Sequence, residues 1–195
     1  MPDAETVAER LRERARRLRE QAVAEYASGD DDDRLLDPLR VDPPAHAAED
    51  DFPASVDEQL DRLAGVGGLV VLDGDRVLGV KQGYGEGDAW MNPGGAQEPG
   101  EPLVETAVRE AHEETNIDAE VTDVLYARDF AIDYGGPERV HVPVVVFVGE
   151  RVGGRRAAPL VRVSTGEPEI EDVRWFDADS LPADFRDRER ILDLL

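Results

Sequence analysis

Cysteine is absent from this chain of 195 residues, and lysine occurs only once, at Lys81. The absence of cysteine excludes disulfide bonds, thiolate-ligated zinc, iron–sulfur clusters and cysteine nucleophiles. No apolar run approaches the roughly 20 residues that a membrane helix needs. The first residues also lack the charged-then-apolar layout of a signal peptide. We therefore expect a cytoplasmic protein with no membrane partner.

Acidic residues outnumber basic residues by 45 to 22, which gives a formal net charge of −23. A chain this acidic repels the nucleic-acid backbone, so we expect no nucleic-acid partner. Its acidic side chains also repel one another, and molar salt would relieve this repulsion because the screening length falls to about 3 Å. The acidic, lysine-poor composition resembles that of proteins from salt-loving archaea, and we expect a halophilic protein whose fold needs high salt.

Residues 3–27 are predicted to form an amphipathic helix. Apolar residues recur there at three- and four-residue steps, which places them on one stripe, namely Val7, Leu11, Ala15, Leu18, Ala22 and Tyr26. We expect this helix to dock on the main domain or on a second subunit, the latter forming a homodimer. A basic arm for nucleic acid is the alternative, but acids are interleaved with the arginines. Residues 30–53, rich in acids and prolines, are predicted to be a linker.

The chain is predicted to divide into a helical extension and linker (residues 1–60) and a main domain (residues 61–195). Ser55 and Glu58 form a capping-box pattern for a short helix through Ala64. Strands are predicted at 68–72, 76–81, 139–148 and 172–177, and a strand or a bent pair of strands at 120–133. Helices are predicted at 103–115 and 184–195, and a glycine-rich loop at 82–92. Pro143 is predicted to lie at a sheet edge or bulge. Strands surrounding one central helix predict an α+β fold or an α/β sandwich with a mixed sheet.

The segment 94–117 concentrates the chemistry of the chain. It opens on two glycines and continues into a helix predicted over 103–115, with Pro102 in its first turn and Asn116 as its left-handed stop. One face of this helix is predicted to pack in the core, through Val104, Ala107, Val108 and Ala111. A different face carries Glu110, Glu113 and Glu114 at i, i+3 and i+4 spacing. Like charges at this spacing are unfavourable unless something neutralises them, and carboxylates are preferred ligands of Mg²⁺ and Mn²⁺. The pattern therefore indicates a divalent-cation site, and a solvated acidic helix face is the alternative.

The spacing of Gly95, Glu101, Arg109 and the three glutamates resembles the Nudix box. The segment departs from that pattern at Ala111, where a larger aliphatic residue is usual, and at Asn116, where glycine is usual. Neither departure removes a ligand. The resemblance implies a Nudix-type α/β/α sandwich with a mixed β-sheet, preceded here by the N-terminal helical extension.

The resemblance to MutT-like Nudix hydrolases also implies roles for individual residues. Glu110, Glu113 and Glu114 would bind Mg²⁺ or Mn²⁺ with a carbonyl near Gly95, and Arg109 would pair with Glu101 to hold the loop against the helix. In some family members the general base lies on a later loop. The candidates for it here are Glu167, Glu169 and Glu171, of which Glu169 is preferred, although each is also typical of a surface acid.

Three residues outside the segment are candidates for binding substrate. Tyr84 and Trp90 have rings suited to stacking on a nucleobase, although anchoring a loop or the core is the alternative. Arg139 is a candidate phosphate contact, with surface ion pairing as its alternative.

The function implied by the resemblance is metal-dependent hydrolysis of a phosphoanhydride in a nucleoside diphosphate linked to another moiety. An oxidised or ordinary nucleoside triphosphate, ADP-ribose and a diadenosine polyphosphate all remain open as substrates. The alternative from another class is a catalytically silent nucleotide-binding module with a regulatory role. The intact glutamate set argues against that alternative, since a silent copy does not need the cluster.

Overall fold

A computed structural model describes residues 3–29, 33–43, 52–82, 89–155 and 170–195. The helices and strands, in chain order, are α1 Ala4–Tyr26, β1 Leu39–Val41, α2 Val56–Leu63, β2 Val66–Leu72, β3 Val77–Gln82, β4 Trp90–Met91, β5 Gly94–Ala96, α3 Leu103–Thr115, β6 Ile117–Ile132, β7 Val140–Gly154, β8 Ile170–Phe176 and α4 Arg188–Leu192.

The strands form one mixed sheet in the order β1-β6-β7-β2-β3-β4, while β5 pairs with β2 and β8 pairs with β3. The pairs β1–β6 and β2–β7 are parallel, and the other pairs are antiparallel. Strand β6 directly follows α3 in the chain and pairs with β7 inside the sheet. The end of α3, the helix that carries the glutamates, is therefore attached to the interior of the sheet. The predicted mixed sheet with helices is confirmed.

Alternation along the strands builds a core on each face of the sheet. In β2, Leu69 and Val71 point into the core beneath α1 and α3, whereas Val70 and Leu72 point into the core that contains Ile191 of α4. Successive side chains of a strand face opposite sides, so a run of apolar residues covers both faces. The result is a three-layer α/β/α arrangement that places α1 and α3 side by side on one face.

The N-terminal helix α1 begins at the N-cap Asp3, whose carboxylate accepts a hydrogen bond from the Thr6 N–H at 2.8 Å. Its apolar stripe packs on β6 and β7 of the same chain, and Tyr26 meets Phe147 edge to face with ring centroids 5.6 Å apart. The predicted helix and its docking on the main domain are confirmed. No helix within the described ranges combines the length and the apolar character that crossing a bilayer would need.

The linker predicted over residues 30–53 contains a strand, so that prediction is partly wrong. Strand β1 pairs in parallel with β6, and an isolated bridge joins Leu35 to Ala127. The N–H of Leu36 donates to the Ala127 carbonyl at 2.9 Å. Backbone pairing places this segment at the sheet edge while Leu35 and Leu39 stay exposed, and apolar periodicity gives no signal for such pairing.

Two further predictions about strands are corrected. Trp90 and Met91 lie in β4, paired with β3, rather than in the loop predicted for 82–92. Pro143 lies in β7, which has β6 and β2 as neighbours, rather than in an edge strand or at a bulge. It pairs with Asp129 of β6, but the ladder with β2 begins only at Val144, so no residue of β2 is paired with the proline.

The terminal helix predicted over residues 184–195 is much shorter. A turn closes between the Phe185 N–H and the Pro182 carbonyl, and Asp187 adopts a left-handed conformation with φ of 57°. Helical geometry therefore starts only at Arg188, and α4 ends at Leu192.

Candidate active site

The backbones of β2 and β5 lie very close to α3 at the site. A Cβ added to Gly67 would lie 2.6 Å from the Leu103 carbonyl oxygen, so only glycine allows α3 to lie this close to β2. A Cβ added to Gly95 would lie 2.5 Å from the Glu110 carboxylate carbon. The two-glycine start of segment 94–117 therefore lets the Glu110 carboxylate pack directly against the backbone of β5.

Helix α3 starts after Pro102, which is the N-cap residue and not part of the first turn as predicted. It ends at Asn116, which has φ of 55° and donates its N–H to the His112 carbonyl at 2.7 Å. Asparagine adopts this left-handed conformation more readily than most residues, as the sequence predicted. The sharp stop directs the chain into β6.

Arg109 is the centre of the hydrogen-bond network. Its Nε and Nη2 donate to the two oxygens of Glu101 at 2.9 and 3.1 Å, and Nη2 also donates to the Ala96 carbonyl at 3.1 Å. Its Nη1 donates to Glu110 at 2.8 Å and to Glu113 at 3.1 Å. One guanidinium thus connects the loop before α3 with two of the three glutamates on the helix.

The network fixes the charge state of Glu101. Hydrogen bonds from Arg109, then from the Thr106 hydroxyl and the Glu98 N–H, lower the pKa of Glu101 to about 2, although burial acts in the opposite direction. The hydrogen bond to Glu101 is also the main reason that the pKa of Arg109 is raised. Both groups are therefore ionised at neutral pH, and the pair is held as an ion pair.

The three glutamates differ in exposure. Glu114 is buried, with 5% of its surface exposed, and its carboxylate accepts a hydrogen bond from the Gly94 N–H at 3.1 Å. The Glu110 side chain is 16% exposed and that of Glu113 is 48% exposed. The exposure of the three side chains thus increases from Glu114, next to the β5 backbone, through Glu110 to Glu113.

The predicted core stripe of α3 is confirmed. Ala107 and Ala111 are buried, and Val104 and Val108 are half-buried and pack against the same core. The buried face also includes Thr106 and Glu114, which the apolar pattern did not predict. Thr106 can be buried because its hydroxyl donates to Glu101 at 2.8 Å, a bond between side chains that apolar periodicity cannot indicate.

The donor set fits a hard divalent cation. Oxygen atoms of three carboxylates from one helix face, close to the backbone of Gly95, match the ligand preference of Mg²⁺ and Mn²⁺. Among the described residues, no group of three or more carboxylate or histidine side chains already converges as a ligand set. Arg109 bonds to Glu110 and Glu113 in this arrangement, so ligation by all three glutamates requires their side chains to rotate.

The structure places the remaining predicted residues in different surroundings. Trp90 packs edge to face on Phe176, with centroids 4.9 Å apart, and the Arg174 guanidinium lies 5.3 Å from its ring centroid. Arg139 donates to the carbonyls of Gly136 and Glu138, and its Nη1 lies 3.2 Å from a carboxylate oxygen of Asp133. These contacts match the anchoring and surface alternatives for the two residues.

Of the three candidates for the general base, Glu167 and Glu169 lie outside the described residues, as does the substrate-binding candidate Tyr84. Glu171 is on β8, and its carboxylate is 3.5 Å from the Lys81 ammonium.

Sequence reasoning missed two residues that support the site. Gln97 donates its side-chain amide to the Glu101 carbonyl, and Arg14 of α1 donates to the Gln97 side-chain oxygen at 3.3 Å. Gln97 lies inside segment 94–117 and could have been considered as a loop anchor. No local signal in the sequence links Arg14 to a loop more than eighty residues later.

Comparison with known proteins identifies the family of the chain. The family model for the NUDIX domain matches residues 61–195, which is more than half of the chain, and the chain belongs to the Nudix family. The Nudix hydrolase predicted from segment 94–117 is confirmed at the level of the family.

One curated relative is an RNA pyrophosphohydrolase from Erythrobacter litoralis (strain HTCC2594). It is 30% identical over an alignment of 105 residues that covers 48% of this chain and 62% of the relative. A crystal structure of a NUDIX hydrolase from Nitrosomonas europaea matches with a TM-score of 0.50 and 20% identity, covering 65% of this chain and 66% of that one. Another NUDIX hydrolase structure from the same organism matches with a TM-score of 0.50 and 22% identity, covering 68% of this chain and 88% of that one. The chain thus spans less than two thirds of the curated relative, and the two structures support the fold.

Proposed function

We propose that this protein is a metal-dependent hydrolase that cleaves the phosphoanhydride bond of a nucleoside diphosphate linked to another moiety. The observation that carries the proposal is the Arg109 network, which bonds to Glu101 of the loop and to Glu110 and Glu113 of the helix. A solvated acidic face would not need one guanidinium to connect a loop carboxylate with two helix carboxylates.

Glu110, Glu113 and Glu114, with the backbone carbonyl of Gly95, are the residues that would hold Mg²⁺ or Mn²⁺. A divalent cation at this position supplies neutralisation of the diphosphate charge and activation of water for attack on phosphorus. The chain itself has a net charge of −23, so acceptance of a polyanionic substrate depends on such neutralisation.

The side chains of the chain orient the reacting groups. The ion pair of Arg109 and Glu101 holds the loop against α3 and fixes the position of the β5 backbone relative to Glu110. The Gly94 N–H holds Glu114 in a buried position, so little side-chain entropy is lost when it acts as a ligand. Glu169 is proposed as the general base that accepts the proton of the attacking water.

Nucleoside triphosphates, ADP-ribose and diadenosine polyphosphates are the proposed substrate classes, and Tyr84, Trp90 and Arg139 are the proposed contacts to them. RNA with a 5′-triphosphate is a second candidate, favoured by the relative that is an RNA pyrophosphohydrolase. The strong negative charge of the chain opposes contacts to a long RNA backbone. A small nucleotide is therefore the preferred substrate.

The remaining proposals concern the whole protein. Residues 1–60 act as an extension of a catalytic domain formed by residues 61–195. The protein works in the cytoplasm at high salt, without a nucleic-acid or membrane partner, and a homodimer is a proposed assembly. Size-exclusion chromatography with light scattering at high salt tests the assembly directly.

The proposed activity is tested by measuring phosphate release from a panel of nucleotides and from 5′-triphosphorylated RNA, with Mg²⁺ or Mn²⁺ at high salt. We expect wild type to hydrolyse at least one nucleotide and Glu114→Gln to be slower by at least about 100-fold, since it loses a ligand charge. Glu105→Gln is the matched control, because Glu105 is exposed on the same helix, and it should keep the wild-type rate. Equal rates for wild type and Glu114→Gln on every substrate would favour the silent nucleotide-binding module.

A further inference from the structure

The N-terminal helix reaches the loop that precedes α3 through one arginine. A cavity of about 770 Å³ lies between α1, α2 and this loop, and Arg14 lines it. From the middle of α1, the Arg14 side chain donates Nη1 to the Ala64 carbonyl at 2.6 Å and Nη2 to the side-chain oxygen of Gln97 at 3.3 Å. Arg14 thus bonds both to the chain entering β2 and to the loop entering α3.

Gln97 continues the connection towards the carboxylate cluster. Its backbone N–H donates to the Gly65 carbonyl at 2.9 Å, and its side-chain amide donates to the Glu101 carbonyl. The Glu101 carboxylate in turn accepts from Arg109, which donates to Glu110. Hydrogen bonds thus connect Arg14 of α1 to Gln97 and Gln97 to the Glu101 backbone. The carboxylate of the same Glu101 is connected through Arg109 to Glu110, a proposed metal ligand.

We propose that Arg14 is a positioning residue for the metal site, acting through Gln97 and Glu101 to set the loop that places Glu110. This inference rests on the proposed function and assigns the N-terminal extension a part in metal binding. Both acceptors of Arg14 are neutral carbonyl oxygens, so its contribution is directional and does not neutralise a nearby carboxylate.

The contrast with Arg16 supports a special role for Arg14. Arg16 lies on the exposed face of α1 and pairs with Glu13 and Glu20 of the same helix. The Arg14 guanidinium is drawn out of water instead, and this desolvation is the main reason that its pKa is lowered. Removing a guanidinium from water is unfavourable, so the two hydrogen bonds to the loop and to Ala64 must compensate for it.

The test measures Mn²⁺ affinity in the absence of substrate, by electron paramagnetic resonance of the full-length protein at high salt. The variants are Arg14→Ala, Arg14→Lys, Gln97→Ala and the double variant Arg14→Ala/Gln97→Ala, with Arg16→Ala as the matched control on the same helix. Thermal melting of each variant is recorded separately, since a merely structural role would change melting and leave the Mn²⁺ dissociation constant unchanged.

We expect Arg14→Ala and Gln97→Ala each to raise the Mn²⁺ dissociation constant about tenfold, the lower end of the effect of outer-shell partners. The double variant should also raise the Mn²⁺ dissociation constant about tenfold, because both residues act in one series of bonds. Arg14→Lys should recover part of the affinity, since an ammonium can reach one carbonyl, and Arg16→Ala should stay within about twofold of wild type.

A wild-type Mn²⁺ dissociation constant in Arg14→Ala overturns the inference. A double variant whose dissociation constant rises by the product of the two single increases overturns it as well. If Arg14→Ala does not fold, wild-type affinity in Gln97→Ala overturns it equally. A wild type that binds Mn²⁺ but hydrolyses no nucleotide contradicts the proposed function while the affinity comparison still decides the role of Arg14. A wild type that does not bind Mn²⁺ contradicts both.

Discussion

Arg109 binds both carboxylate oxygens of Glu101, with Nε to Oε1 at 2.9 Å and Nη2 to Oε2 at 3.1 Å. This two-point contact fixes the plane of the guanidinium, so that its remaining nitrogen, Nη1, reaches Glu110 and Glu113. The geometry of the proposed metal ligands therefore depends on a residue that is not itself a ligand.

Arg109→Lys tests this dependence. An ammonium keeps the charge but cannot bond to both oxygens of Glu101 while also reaching Glu110. We expect the rate at saturating Mg²⁺ to fall by about 10- to 100-fold, with secondary structure by circular dichroism unchanged. Arg76→Lys, in the exposed pair with Asp73, is the control and should keep the wild-type rate. A wild-type rate in Arg109→Lys would show that the two-point contact has no role in catalysis.

The stability contributed by Glu101 should depend on pH. Because the pKa of Glu101 falls from 4.5 to about 2 on folding, its ion pair stabilises the fold fully above about pH 4.5. The contribution is lost as the pH falls from there towards 2. Urea unfolding of wild type and Glu101→Gln across this range should give a free-energy difference that is largest near neutrality and shrinks on acidification. A difference that is independent of pH would contradict the assigned ionisation.

Asp129 holds α1 to the sheet from a buried position. It is 1% exposed, and its carboxylate lies 2.6 Å from Arg19 Nε of α1 and 3.0 Å from His141 Nδ1 of β7. Asp129→Asn leaves Arg19 without its anionic partner, and we expect the free energy of unfolding to fall by about 3 kcal/mol.

Asp73→Asn is the matched control for that measurement. Asp73 pairs with Arg76 and Arg151 in a more exposed setting, so its loss should cost under about 1 kcal/mol. The free energies of unfolding of both variants and of wild type are measured by chemical denaturation at the same salt concentration. Equal losses would mean that the buried pair contributes no more than the exposed one.

The charge of −23 predicts a dependence of stability on salt. Screening of repulsion between acidic side chains should raise the melting temperature as KCl is increased from about 0.1 M to about 3 M. Differential scanning calorimetry follows the transition, and sucrose at matched osmolality is the control for effects other than ionic screening. A melting temperature unchanged across this range would contradict the proposed salt adaptation.

The sequence alone predicted those parts of the site that are local in the chain. The helix of segment 94–117, its stop at Asn116 and the i, i+3, i+4 spacing of the glutamates all follow from short-range rules. The burial of Glu114 did not follow from them, because it depends on a bond to Gly94 twenty residues earlier.

Contacts between distant parts of the chain were beyond the reach of periodicity. The pairing of Arg19 with Asp129 and of Arg14 with Gln97 joins the N-terminal helix to residues that become neighbours only after folding. Strand β1 is three residues long and is held by backbone pairing with β6, so it leaves no alternating pattern in the sequence.

Removal of divalent cations tests the central claim most directly. Wild-type protein dialysed against EDTA at high salt should hydrolyse no nucleotide of the panel, and its rate should rise and saturate as Mg²⁺ or Mn²⁺ is added back. The fold should persist throughout by circular dichroism, because the Arg109 network does not require the metal. Hydrolysis by the metal-free protein at the rate of the reconstituted one would contradict the account.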